Sequence, residues 1–114
     1  MAETSQPSPA APGGTKWNPD LIFAVLADPV RRSLLRSLAH EGGKPASVLR
    51  GASARRLDAT LKHLVAMRSA GLLVIEPDPV DGRRMLYSLA PSVPLTKSPT
   101  DGVVMDFGFV AVRW

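Results

Sequence analysis

Apolar residues recur at helical spacing in four short blocks along the middle of the chain, each marked off by capping or breaking residues. Asn18-Pro19-Asp20 is a cap followed by proline at the first helical position, where a missing N–H costs nothing. It predicts a first helix to about Ala27 carrying Leu21, Ile22, Phe23, Val25 and Leu26. Asp28-Pro29 repeats the device and opens a second helix to about His40. There Val30, Leu34, Leu35 and Leu38 form one stripe, and Gly42-Gly43 ends it. A third, short helix begins near Pro45, is expected to bury Val48 and Leu49, and ends near Gly51. The fourth runs from about Arg55 to Ala70, its start open between a Ser53 cap and a later beginning at Arg56. Helical geometry puts Leu57, Thr60, Leu61, Leu64 and Met67 on one face. Arg55, Ala59, Lys62 and Ala66 lie opposite, with Asp58 and Ser69 at the edge.

The period then changes to that of strands. Residues 72–76 and 84–89 read as a hairpin around Pro77-Asp78-Pro79-Val80-Asp81-Gly82, with Met85, Tyr87 and Leu89 on one face and Arg83 and Arg84 beside the tip. Residues 1–15 are Pro, Ala, Ser, Thr and Gly with almost no large apolar side chain, and read as a disordered tail. The globular part spans 16–90. Residues 91–102 hold three prolines and read as a connector, and 103–114 as one further strand with apolar side chains on both faces, Phe107 and Phe109 on one of them. The fold class is α+β.

Composition narrows the chemistry. The chain of 114 residues has no cysteine, hence no disulfide framework, thiolate metal site or cysteine nucleophile. No apolar run reaches the length of a membrane span and no leader pattern opens the chain, so a cytoplasmic protein is expected. Two histidines without cysteine offer no zinc site, and no glycine-rich phosphate loop or nucleophile–base spacing appears, so no enzyme and no cofactor is expected. Asp106-Phe107-Gly108 matches a kinase triplet without any other kinase element, a chance coincidence. The net charge of +4 is concentrated: residues 54–71 hold four basic residues against one acidic. A cationic helix face interrupted by alanines suits a polyanionic groove.

Four marks in order resemble the ArsR-like winged helix-turn-helix regulators. They are Leu26-Ala27-Asp28-Pro29 with Arg31-Arg32 and Leu34-Leu35, then Leu64 with Met67, then Ala70-Gly71-Leu72-Leu73, then Gly82-Arg83-Arg84-Met85-Leu86-Tyr87-Ser88-Leu89. The resemblance covers about residues 19–90. It implies a homodimeric transcriptional regulator with the fourth helix in the DNA major groove and the hairpin as wing. Metal-sensing members carry a Cys-x-Cys pair where this chain has Pro45-Ala46-Ser47, so control by soft metals is not expected. Gly51-Ala52-Ser53-Ala54-Arg55-Arg56 also departs from the usual Leu-Gly-Leu-Ser turn, and the resemblance does not explain the C-terminal strand.

The expected function is sequence-specific binding of double-stranded DNA by a homodimer, as a repressor. Arg55, Arg56, Asp58, Ala59 and Lys62 are the candidates for base readout, and Arg31, Arg32, Arg83 and Arg84 for phosphate contact. His63 is either a packing residue or a further DNA contact. Arg31 and Arg32 stand at the end of their helix where cations are unfavourable, which DNA phosphate or a carboxylate would offset. Leu21, Ile22, Val25, Phe107 and Phe109 are the candidate dimer contacts. The C-terminal strand either covers its own domain or crosses to the partner, the crossing being favoured. The rival function is a winged-helix module that binds protein instead of DNA.

Overall fold

The computed structural model describes residues 17–53, 56–100 and 102–114. The tail expected over residues 1–15 and the candidate Arg55 lie outside them. Four helices come first: α1 Pro19–Leu26, α2 Pro29–Glu41, α3 Ala46–Ser53 and α4 Leu57–Ser69. The first two start as the sequence predicts. Asn18 Oδ1 accepts from the N–H groups of Asp20 and Leu21 at 2.9 and 3.3 Å. Asp28 Oδ1 accepts from those of Val30 and Arg31 at 2.8 and 3.3 Å. Burial alone would raise the Asp28 pKa. The two backbone donors, with the nearby charge of Arg31, outweigh it and hold the carboxyl below its ordinary value. For α4 the later of the two possible starts is found: Arg56 is its N-cap residue and supplies no side-chain cap.

One apolar cluster unites the helices. Ile22 and Val25 come from α1, Leu34, Leu35, Leu38 and Ala39 from α2, Leu49 from α3, and Leu64 and Met67 from α4. Thr60 is buried among them, its hydroxyl donating to the Arg56 carbonyl at 3.2 Å, so its polar atom is not orphaned. Two expected core residues stand outside. Val48 is exposed because it lies about 100° around a two-turn helix from the buried Leu49. Leu57 is exposed in the opening turn of α4, beyond the stripe formed by Thr60, Leu64 and Met67. The other end of α4 is closed tightly. Leu72 N–H donates to Met67 O at 3.1 Å and Gly71 N–H to Arg68 O at 3.0 Å, with Gly71 at φ +88° and Leu72 and Met67 both fully buried.

The chain then forms the hairpin β1 Leu73–Pro77 and β2 Met85–Leu89, paired Leu73↔Leu89, Ile75↔Tyr87 and Pro77↔Met85. Leu72 is spent on the helix stop, so the first strand starts one residue later than predicted. Tyr87 and Leu89 pack on the core, whereas Met85, near the open end, is exposed. Lys44 adds a one-residue bridge: it donates to Tyr87 O at 3.0 Å and accepts from Tyr87 N–H at 2.9 Å. That bridge fastens the hairpin to the α2–α3 connection and so fixes its direction relative to α4.

The C-terminal region corrects the prediction of a connector and one strand. Residues 95–113 make a three-stranded antiparallel sheet, β3 Leu95–Ser98, β4 Gly102–Asp106 and β5 Ala111–Arg113, in the order β3-β4-β5. The reversal lies where simple alternation looked continuous. Asp106 Oδ1 accepts the N–H of Gly108 at 2.9 Å, and Gly108 takes φ +93°. Directly opposite residues share a face, so Leu95, Met105 and Val112 lie together, as do Val103 and Trp114. This face closes the chain's own core, with Met105 fully buried, while Thr96, Val104 and Arg113 share the other. The segment therefore covers its own domain, the less favoured of the two expected arrangements. Among the described residues no helix is long and apolar enough to cross a membrane.

Stability should register both the sheet and the cap. Met105→Ala is expected to cost about 2–5 kcal/mol in denaturant unfolding, and a loss well under that range would separate the sheet from the core. Asp28→Ala should cost about 1 kcal/mol at neutral pH. Because the folded pKa is depressed, the benefit of the carboxylate is full above its unfolded value of about 3.9 and lost as pH falls through the lower folded value. Melting curves of wild type and Asp28→Ala should therefore converge in strong acid.

Candidate nucleic-acid interface

α3 and α4 pack against each other as a helix-turn-helix, with α4 the second helix. Its inward stripe turns Asp58, Lys62, Val65 and Ser69 outward, flanked by half-buried Ala59 and Ala66. Arg56 projects from the N-cap, and its Nε lies 3.5 Å from Asp58 Oδ1 with both side chains largely in solvent. Such an exposed pair is weak and separates readily when a better anion approaches the guanidinium. Four of the five expected readout residues, Arg56, Asp58, Ala59 and Lys62, thus sit on the first two turns of α4 or at its cap, and all reach the surface. The fifth, Arg55, lies outside the described residues.

Arg31 and Arg32 have partners within the chain, and His63 takes the packing place that was one of its two expected roles. Arg32 Nη1 donates to Leu26 O at 2.6 Å and Arg31 Nη1 to Ala24 O at 3.3 Å. The two cations at the start of α2 therefore stand at the C-terminal end of α1, where unpaired carbonyls and the helix dipole favour positive charge. Within the chain these carbonyls, with the Asp28 carboxylate near Arg31, already offset the two cations. Arg31 Nε also donates to His63 Nδ1 at 3.0 Å. Since the arginine keeps its proton, His63 accepts as a neutral imidazole carrying hydrogen on Nε2. The bond ties the start of α2 to the middle of α4, and both side chains are half-buried.

Two turns order the tip of the hairpin. Asp78 Oδ1 accepts from Val80 N–H at 2.8 Å, and Asp81 Oδ1 from Arg83 N–H at 3.1 Å. Arg83 folds back on the same carboxylate, its Nε 3.3 Å away. Arg84 is exposed, and its backbone closes the loop through Asp78 N–H to Arg84 O at 2.9 Å. The tip thus presents one arginine engaged with its neighbour and one extended from a braced backbone.

The expected dimer residues divide. Ile22 and Val25 are buried in the chain's own core, and Phe107 packs edge-on against Trp17 at 5.1 Å, so these three are not available to a partner. Leu21 and Phe109 remain accessible. Phe23 joins them: it is 48% exposed and meets Phe109, itself 39% exposed, edge-on at 5.5 Å. Sequence reasoning overlooked Trp17 and Val65. Trp17 directly precedes the Asn18 cap, the position from which an apolar side chain staples a helix start, and that signal would have found it. Val65 is an apolar residue off the buried stripe, which the helical projection would have shown.

No family model and no curated protein sequence matches the chain. Solved structures do. A homodimeric winged helix-turn-helix DNA-binding domain from Mycobacterium bovis, described as a possible ArsR-family transcriptional regulator, matches with a TM-score of 0.55 and 25% identity over 62% of each chain. A probable transcriptional regulator from Pseudomonas aeruginosa matches at 0.53 and 27% identity, over 63% of this chain and 57% of that one. An ArsR-family transcriptional regulator matches at 0.52 and 24% identity, over 66% of this chain and 76% of that one. The chain spans about three-fifths of the length of the first two. These neighbours are transcriptional regulators, a non-enzymatic group. The four helices and hairpin are a winged helix-turn-helix, and the structures they match include ArsR-family transcriptional regulators.

Proposed function

We propose that the chain binds double-stranded DNA as a homodimeric transcriptional regulator, α4 entering the major groove and the β1–β2 wing lying along flanking phosphates. The observation that carries this reading is the outward face of α4: Arg56, Asp58 and Lys62 exposed beside two alanines, on the second helix of a helix-turn-helix. Arg55, outside the described residues, is proposed for base readout on its charge and place in the sequence alone. The cation and acceptor groups suit base edges, and the alanines let the backbone approach. Arg84, with Arg83 and Arg32 as weaker contributors, supplies phosphate contacts. Arg31 and His63 are assigned to holding α4, because each is occupied by the other. Repression is the simplest consequence, since a protein seated on a promoter blocks it without further machinery. The site of action is then the cytoplasm.

A second copy is needed because one winged helix reads only a short half-site. The M. bovis domain is homodimeric, and Phe23 with Phe109 gives this chain an exposed apolar patch for the same purpose, Leu21 being exposed on another side of α1. The same patch is what favours the rival reading, a protein-binding winged helix.

Binding to duplex DNA should fall by about 10³–10⁵ between 50 and 200 mM salt if six to ten phosphates are neutralised per dimer. A protein-binding module would show no such dependence, and absence of any duplex binding at low salt would reject the proposal. Arg84→Gln should flatten the salt dependence by about one unit of slope for each phosphate left without its cation. Arg31→Gln should weaken binding while leaving the slope unchanged, and a flattened slope would return Arg31 to the phosphate-binding set. Phe23→Asp should give a folded monomer by light scattering with weakened operator binding. A dimer that survives it would move the interface elsewhere.

A further inference from the structure

We infer that Val65 reads the 5-methyl group of a thymine in the major groove, one or two base-pair steps from the base met by Lys62. This rests on the DNA-binding reading above and specifies what the bound sequence must contain.

The inward side of α4 is already supplied by Thr60, Leu64 and Met67, all fully buried. Val65 is 60% exposed, the most exposed large apolar side chain among the described helical residues. It does not lie on a neutral flank. Helical geometry puts it about 20° around the axis from Asp58 and about 60° from Lys62, on the stripe assigned to base readout. Among its neighbours on the helix surface Ser69 is small and exposed, and Lys62 and Arg68 are flexible cations that can lie along a groove beside it.

An isolated surface valine is ordinary in water. On a face buried in a groove it is different, because an isopropyl group neither donates nor accepts hydrogen bonds. Placed against a guanine, adenine or cytosine edge it would leave polar atoms desolvated and unpaired. The one apolar group in the major groove is the thymine methyl. The rise from Lys62 to Val65 is about 4.5 Å along the helix. With base pairs about 3.4 Å apart, the two side chains fall one or two steps apart when α4 lies along the groove. The pairing rules then give a half-site in which a guanine, accepting from Lys62, is followed closely by a thymine.

The test uses the full chain and the duplex it prefers, selected from a random pool. Each thymine is replaced in turn by deoxyuridine, which keeps every hydrogen-bonding group and removes only the methyl. Wild type should lose about threefold to tenfold in affinity at one thymine per half-site, the scale of one buried methyl group. Val65→Ala, which loses both γ-methyls and falls short of the base, should bind the thymine and uracil duplexes alike at that position, while Val65→Thr, which retains one γ-methyl, should keep the preference. An unchanged melting temperature shows that the exposed substitutions leave the fold intact. Indifference of wild type to every replacement overturns the inference while leaving DNA binding standing, as does a sensitivity that Val65→Ala preserves. If no duplex is selected at all, the DNA-binding reading itself falls and this inference falls with it.

Discussion

What α4 can do on its outward side depends on the inward anchoring of Thr60, Leu64 and Met67. These side chains fix the rotation of the helix about its axis, and rotation decides which residues face a groove. The stop at Gly71 then fixes where the helix ends, because Leu72 and Met67 are buried together at the reversal. With rotation and length set, Asp58, Lys62 and Val65 are presented without further adjustment. A base-reading surface gains from such rigidity, since a mobile helix would lose entropy on binding.

Charge is used twice in this domain, and the two uses differ. Around the α1–α2 corner, arginines are spent internally: Arg32 and Arg31 satisfy the last carbonyls of α1, and Arg31 also reaches His63 on α4. Three helices are joined there by hydrogen bonds. On α4 and at the wing the cations remain on the surface, either extended into solvent, as with Lys62, or in the solvent-screened pairs Arg56–Asp58 and Arg83–Asp81. Screened pairs give up little when they open. A partner with many negative charges would therefore meet the second group and leave the first in place.

The C-terminal sheet gives the winged helix an additional wall. Trp17, Phe107, Phe109 and Phe23 form a chain of stacked and edge-on rings that runs from the start of the described chain, through the β4–β5 turn, to the outer side of α1. Its inner members stabilise the fold, and its outer members, Phe23 and Phe109, remain half in water. The same turn thus closes the core and builds the apolar surface that a second copy could cover.

Local features were decided by the sequence, because their causes lie within a few residues. The caps at Asn18 and Asp28, the prolines after them, the stop at Gly71 and the hairpin after it all act over one turn or one hairpin, and they appear within a residue of where the sequence puts them. The ordered marks from Leu26 to Leu89 carried the resemblance that the solved structures bear out. What the tertiary structure alone decided involves packing between distant segments. No local rule links Arg31 to His63, Lys44 to Tyr87 or Trp17 to Phe107. Nor does periodicity show that Ile22 and Val25 are consumed by the chain's own core, or that a turn at Gly108 folds one apparent strand into two. An amphipathic segment states how much apolar surface must be hidden. Which neighbour hides it is settled only when the whole chain closes on itself.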